Sequence, residues 1–248
     1  MIALVTGASA GFGRSICRLL VKRGHRVIGA ARRESRLQAL KTELGDLFYS
    51  LVFDITDKKA MYVAIDSLPE DLQAIDLLVN NAGLALGLKP AHQADIEDWE
   101  QMIATNISGL VSITRKILPA MVARNRGHVI NLSSIAASWP YFGGNVYGAS
   151  KAFVRQLSLN LRTDLAGTRV RVTSVEPGNV GGTEFSEVRY HGDAAAASKV
   201  YEGFETMTPD DIADIVVWIA EQPERVNVNS IEIMPVAQTF GGLTITRE

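Results

Sequence analysis

Seven short runs rich in Val, Ile and Leu recur along the chain, and between most of them lie longer segments with helical spacing. They read IALVT, RVIGAA, FYSLVF, DLLVNN, HVINLS, RVRVTSVEP and SIEIMP. Runs of this kind suit strands buried on both faces, and strands that alternate with helices form parallel sheets. The pattern predicts an α/β domain with one doubly wound parallel sheet of about seven strands and helices on both faces. Helix stops agree with it. Leu19, Leu20 and Val21 precede Arg23-Gly24, while Leu37, Leu40 and Leu44 precede Gly45, and glycine suits the turn that ends a helix. The 248 residues, 47% of them hydrophobic, fit a single domain over 1–248 with a sizeable core.

Charge and cysteine content narrow the function classes. Lys and Arg number 25 against 27 Asp and Glu, a formal net charge of −2, so no basic surplus points to nucleic acid or an anionic membrane. The single cysteine, Cys17, leaves no intramolecular disulfide. No charged leader with a long apolar segment opens the chain, and no apolar run approaches the ~18 residues of a membrane span. The expectation is a soluble cytoplasmic protein. His25, His92, His128 and His191 show no metal-site spacing, so no metal is expected.

The first apolar run continues directly into VTGASAGFGRS, which carries Gly7, Gly11 and Gly13 where a strand gives way to a helix. Glycines there let the backbone turn tightly and let a pyrophosphate come close, and the free N–H groups and dipole of the helix attract the anion. The spacing is not G-x-G-x-x-G, so the flanking strand and helix carry the reading. The second strand ends in GAARRESR. Folds that prefer NAD often place a carboxylate here, whereas Arg32 and Arg33 offer a 2′-phosphate planar forks of donors. The expected cofactor is NADP(H).

With these motifs, the chain resembles the short-chain dehydrogenases/reductases over essentially its whole length. TGASAGFG resembles the family's T-G-x-x-x-G-x-G loop, with Ser9 within it and Phe12 where isoleucine is commoner. NNAG (Asn80 to Gly83), TNISG with Asn106, NLSSIAA with Ser134, YGASK with Tyr147 and Lys151, and EPG (Glu176 to Gly178) follow in the family's order. The resemblance implies a single Rossmann-type domain. It also implies cofactor contacts at Asp54 and Ile55, at Asn81 and Gly83, and at Pro177, Gly178, Val180 and Thr183. Asn106 would hold a water linking Lys151 to solvent, and the subunits would form a homotetramer. GLALG, SWPYFGGNVYGASKAFVRQLSLNLRTDL and EPGNVGGTEFS are similar to stretches of bacterial NADP-dependent 3-hydroxy acid dehydrogenases, a group that includes L-allo-threonine and serine dehydrogenases and related sulfoacetaldehyde reductases.

Hydride transfer between nicotinamide and an alcohol carbon requires a proton transfer at the oxygen. Tyr147 and Lys151 stand four residues apart, on one helix face. The lysine charge is expected to lower the tyrosine pKa from near ~10 so that Tyr147 can exchange the proton. Ser134 would hydrogen-bond and polarise the substrate oxygen.

The segment at about 179–206 lacks strand signals and reads as a substrate lid. Trp139, Tyr141, Asn145, Glu184, Phe185 and Arg189 are candidate pocket walls, with Arg189 as the anion anchor. Arg155 is expected to face water or pair across an interface. The tail at about 235–248 is apolar and is expected to pack on another subunit. The leading reading is an NADP(H)-dependent dehydrogenase of short polar or anionic hydroxy acids, or of the matching aldehydes and ketones. A sulfoacetaldehyde reductase and a non-catalytic NADP-binding regulator are the alternatives.

Overall fold

The computed structural model describes residues 1–240. All seven apolar runs form strands: β1 (Ile2–Thr6), β2 (Arg26–Ala31), β3 (Phe48–Val52), β4 (Leu77–Asn80), β5 (Gly127–Leu132), β6 (Val170–Pro177) and β7 (Ser230–Ile233). They pair in parallel in the order β3-β2-β1-β4-β5-β6-β7. The inner strands are buried on both faces, as β4 and β5 are throughout, which is why their sequences lack polar alternation.

An apolar layer covers each face. On one side Ile16 and Leu20 of α1 (Gly11–Lys22) pack with Ile212 and Val216 of α9 (Pro209–Ala220). On the other, Met61 of α3 (Lys58–Asp66) packs with Ile113 and Ile117 of α5 (Leu110–Ala123). The strand order reverses between β1 and β4. At such a switch point the loops leave the strand ends in opposite directions and open a crevice.

The sequence reads as one long helix from Asp98 to Asn125, but the structure divides it. α4 (Ile96–Ile103) passes into α5 through a π-helical turn at Ala104–Gly109. Asn106 lies in that turn and bonds outward to another segment: its Oδ1 accepts from the Leu84 N–H at 2.9 Å, and its Nδ2 donates to the Leu84 carbonyl at 2.8 Å and to Ser150 Oγ at 3.0 Å. Such a turn re-aims a side chain without ending the helix.

α2 (Glu34–Leu44) starts just after the paired arginines, and α6 (Asn145–Asp164) carries Tyr147 and Lys151. Residues 179–206 contain two short helices, α7 (Phe185–Arg189) and α8 (Ala194–Lys199), and a bridge from Val180 to Met207. Thr208 and Asp211 then form a capping box that starts α9. In the described part of the tail, Gln238 Oε1 accepts from the Asn179 N–H at 2.8 Å, and the Phe240 ring packs tilted against Trp139 with centres 4.3 Å apart. The rest of the tail, 241–248, lies outside the described residues. Among those residues no helix is long and apolar enough to cross a membrane, and no group of three His, Cys, Asp or Glu side chains is placed to hold a metal.

Candidate active site

A cavity of about 310 Å³ opens at the switch point, between the glycine loop, the C-terminal ends of β1, β2 and β4, and α7. Gly7, Ser9, Gly11 and Phe12 line one wall, and Tyr147 and Lys151 another. Ala10 at the N-terminus of α1 supplies no side-chain cap, and the first turn carries no acidic residue. The first N–H groups and the positive end of the helix dipole therefore remain available to an anion.

Two glycines allow the close approach. Gly7 has φ +69°, and a Cβ there would meet Asn81 Nδ2 at 2.8 Å. Gly13 lies beneath the loop, where a Cβ would come within 2.4 Å of the Gly7 carbonyl oxygen. The run from Gly7 to Gly11 also spells G-x-S-x-G, the nucleophile-elbow pattern. Ser9 Oγ, however, accepts from Arg33 Nε at 3.2 Å and Nη2 at 3.0 Å, so its partner is a guanidinium and not the histidine base that a nucleophile elbow serves.

Tyr147 and Lys151 are both buried, with 8% and 7% of their surface exposed. Lys151 Nζ donates to the Leu132 carbonyl at 2.8 Å and lies 5.8 Å from the centre of the Tyr147 ring. Burial pushes Lys151 down to about 8. Burial also pushes Tyr147 up to about 12, opposed by the nearby Ser134 hydroxyl and by Arg189. Loss of hydration is the largest influence on both side chains, and it shifts both toward their neutral forms.

Ser134 caps the short turn after β5. Its Oγ accepts from the Ala136 N–H at 3.1 Å and donates to the Pro177 carbonyl at 3.4 Å, a long bond that leaves the hydroxyl hydrogen free to turn to a better acceptor. Gly83 brings the strand-end loop against this group: a Cβ there would stand 3.2 Å from Asn106 Oδ1 and 3.4 Å from Lys151 Nζ.

At the opposite end of the cavity, Arg32 lies 3.5 Å from Asp54 Oδ2. Asp54 Oδ1 accepts from the Thr56 N–H and hydroxyl, while Asp57 is the residue that caps α3. Ile55 lines the wall beside Asp54. Arg33 donates through Nη1 to Glu184 at 2.8 Å, and Arg36 donates to the other oxygen of the same carboxylate. Partial burial raises the pKa of Glu184, but the hydrogen bonds from Arg36 and Arg33 outweigh it and hold the group below its usual range.

On the Tyr147 side, Arg189 Nη2 donates to the Tyr141 hydroxyl at 2.6 Å, and its guanidinium lies 5.5 Å from the centre of the Tyr147 ring. Phe185 meets Tyr147 edge-on with ring centres 5.7 Å apart. Asn145 is engaged elsewhere, its Nδ2 donating to the Lys89 carbonyl at 3.2 Å. Thr183 stands beside Gly11, Gly178 packs against Gln238, and Val180 belongs to the core. Arg155 keeps 42% of its side chain exposed to water, and it also lies 3.2 Å from Glu176 of its own chain, a carboxylate that is almost fully buried.

The model of the family described as short chain dehydrogenase matches residues 1–193. The chain belongs to the short-chain dehydrogenase family. A probable NADP-dependent dehydrogenase of Haemophilus influenzae is 61% identical over 246 residues, which is 99% of this chain and 98% of that one. The NADP-dependent 3-hydroxy acid dehydrogenase YdfG of Salmonella typhi is 59% identical over 247 residues and the whole length of both. Among solved structures, the closed form of a serine dehydrogenase complexed with NADP+ is 56% identical, covers 100% of both chains and superposes with a TM-score of 0.99.

Within this short-chain dehydrogenase, sequence reasoning passed over Thr6. Its hydroxyl accepts from the Asn81 and Ala82 N–H groups at 3.0 and 2.9 Å, and so ties NNAG to the glycine loop. A threonine ending an apolar run was the available signal. Glu184 was legible as a wall residue, but nothing in its sequence neighbourhood reveals partners about 150 residues away.

Proposed function

We propose that the protein is an NADP(H)-dependent dehydrogenase that interconverts short polar or anionic hydroxy acids, of the 3-hydroxy acid or β-hydroxy amino acid type, with their carbonyl forms. One observation carries the reading: a buried tyrosine closes one end of an anion-attracting cavity while a cation, Arg189, lies over its ring. The YdfG protein and the serine dehydrogenase lend support through their names and cofactor.

The site residues suit the cofactor. The glycine loop and the uncapped start of α1 would hold the pyrophosphate, and Arg33 and Arg32 the 2′-phosphate. Asp54 and Ile55 would flank the adenine, with Asn81, Gly83, Thr183 and the Pro177-Gly178-Val180 stretch nearer the ribose and nicotinamide. When bound, the nicotinamide supplies the hydride acceptor or donor. The other tasks belong to the chain. Tyr147 takes the alcohol proton in oxidation and returns it in reduction. Ser134 turns its hydroxyl to the substrate oxygen. Lys151 holds ribose hydroxyls and adds positive charge beside Tyr147, and Asn106 keeps the Leu84 loop in place near the water that relays the proton. Arg189, on a lid at about 179–206, anchors the carboxylate, with Tyr141 holding the guanidinium and Asn145 at the rim.

The test compares kcat/KM for 3-hydroxypropionate, L-allo-threonine, serine and sulfoacetaldehyde. Turnover of the hydroxy acids is expected, and activity on bulky apolar alcohols alone would overturn the reading. A preference for sulfoacetaldehyde would instead mark Arg189 as a sulfonate anchor. Tyr147→Phe should lower kcat by about 10³-fold with NADPH affinity retained, within the range of general acid–base contributions. Full turnover by that variant would rule out the proton-transfer role and reopen the reading of a cofactor-binding regulator.

A further inference from the structure

α7 is a five-residue helix of which only Ser186 is buried. A helix this short does not persist on its own backbone bonds, and it covers little apolar surface. It is held at its two ends. At the start, Glu184 places one carboxylate oxygen 2.8 Å from Arg33 Nη1 and the other on Arg36. At the finish, Arg189 donates to the Tyr141 hydroxyl at 2.6 Å, while the Arg189 carbonyl accepts from the Gly87 N–H at 2.9 Å. Between these ends the helix presents Phe185 to the edge of Tyr147.

We propose that Glu184 is a positioning residue: by gripping Arg33 and Arg36 across the cavity mouth it sets α7, and so places Phe185 and Arg189 against Tyr147. The inference rests on the reading of residues 179–206 as a substrate lid. A lone exposed ion pair would contribute little, but one carboxylate shared by two guanidinium groups is a network. Arg33 is itself held, since Nε and Nη2 donate to Ser9 of the glycine loop. The grip therefore ends on the rigid floor and not on another exposed side chain. The residues that would read the 2′-phosphate and the residue that would read the substrate carboxylate thus lie at opposite ends of one strap.

The strap is tested with Glu184→Gln, which keeps the shape and removes the charge, and with Arg36→Met. In the protein without added ligand, amide exchange over residues 185–190 should speed up by about 5-fold or more in both variants, because local opening becomes easier. In the enzyme saturated with NADPH or NADP+, KM for the preferred hydroxy acid should rise about 5-fold while kcat stays within about 2-fold, the sign of lost positioning as opposed to lost chemistry. The double variant should add little to Glu184→Gln alone, since Arg36→Met breaks one of the two contacts that Glu184→Gln already weakens. Unchanged exchange and KM in Glu184→Gln would overturn the proposal, as would fully additive effects in the double variant. Faster exchange in a protein whose wild type turns over no hydroxy acid would leave the strap standing and refute the substrate assignment instead.

Discussion

On the floor of the cavity, Thr6 gathers two N–H groups of the NNAG loop, Gly13 lies against the Gly7 carbonyl, and Asn106 satisfies both polar groups of Leu84. Over it, α7 is secured by Glu184 to two arginines, by Arg189 to Tyr141, and by His191 to Asp98 at 3.1 Å. The floor contacts are buried or half-buried and continuous with the core. The contacts above are made largely by exposed side chains. Buried networks resist opening because each broken bond strands a polar group away from water. Exposed ion pairs exchange with water at little cost. The floor should thus cost more to open than the region above it, and perturbing each should register in a different measurement.

The largest effect is expected on the floor. Gly13→Ala places a methyl against a backbone carbonyl that has no side chain to swing away, and should cost about 3 kcal/mol, the upper end for overpacking. Urea unfolding would measure it, with loss of NADPH binding alongside. An unmoved midpoint would show that the loop yields as easily as α7.

Next comes a pH effect at Lys151, whose pKa burial lowers from 10.5 to about 8. Between pH 8 and 10 the unfolded chain carries this proton and the folded chain has begun to lose it, so the contribution of Lys151 to stability rises with pH. Above pH 10 Tyr147, raised to about 12, works in the opposite direction because its unfolded form ionises first. Lys151→Met should remove the rise, so that its stability relative to wild type falls by roughly 2 kcal/mol between pH 7 and pH 9.5. A pH-independent difference would mean that the ammonium is better hydrated than its burial implies.

The smallest of the three effects belongs to the upper region. Arg189→Met should raise KM for the hydroxy acid by about 10-fold, equivalent to about 1.4 kcal/mol, and leave the urea midpoint where it was. A shift in that midpoint would erase the contrast by showing that α7 supports the fold itself.

The seven strands were legible because burial on both faces leaves unbroken apolar runs, and the glycine loop was legible because its backbone path admits few other residues. The π-helical turn at Asn106 was not. Asn106 in that turn bonds the Leu84 loop, which approaches from 22 residues away, and the local sequence reads as an ordinary helix. The pairing of Arg155 with Glu176 was hidden for a similar reason, since Glu176 arrives on β6 from a distant part of the chain.

By itself the sequence determined the sheet, the family and the order of the motifs, from Gly7 to the Tyr147–Lys151 pair. These depend on periodicity, glycine and short spacings, which are properties of neighbours along the chain. Only the tertiary structure decided that burial shifts both Tyr147 and Lys151 toward their neutral forms, that Arg33 is shared between Ser9 and Glu184, and that Arg189 lies over the Tyr147 ring. Hydration and Coulomb energies depend on distances through space, and those distances exist only once the sheet has brought remote segments together.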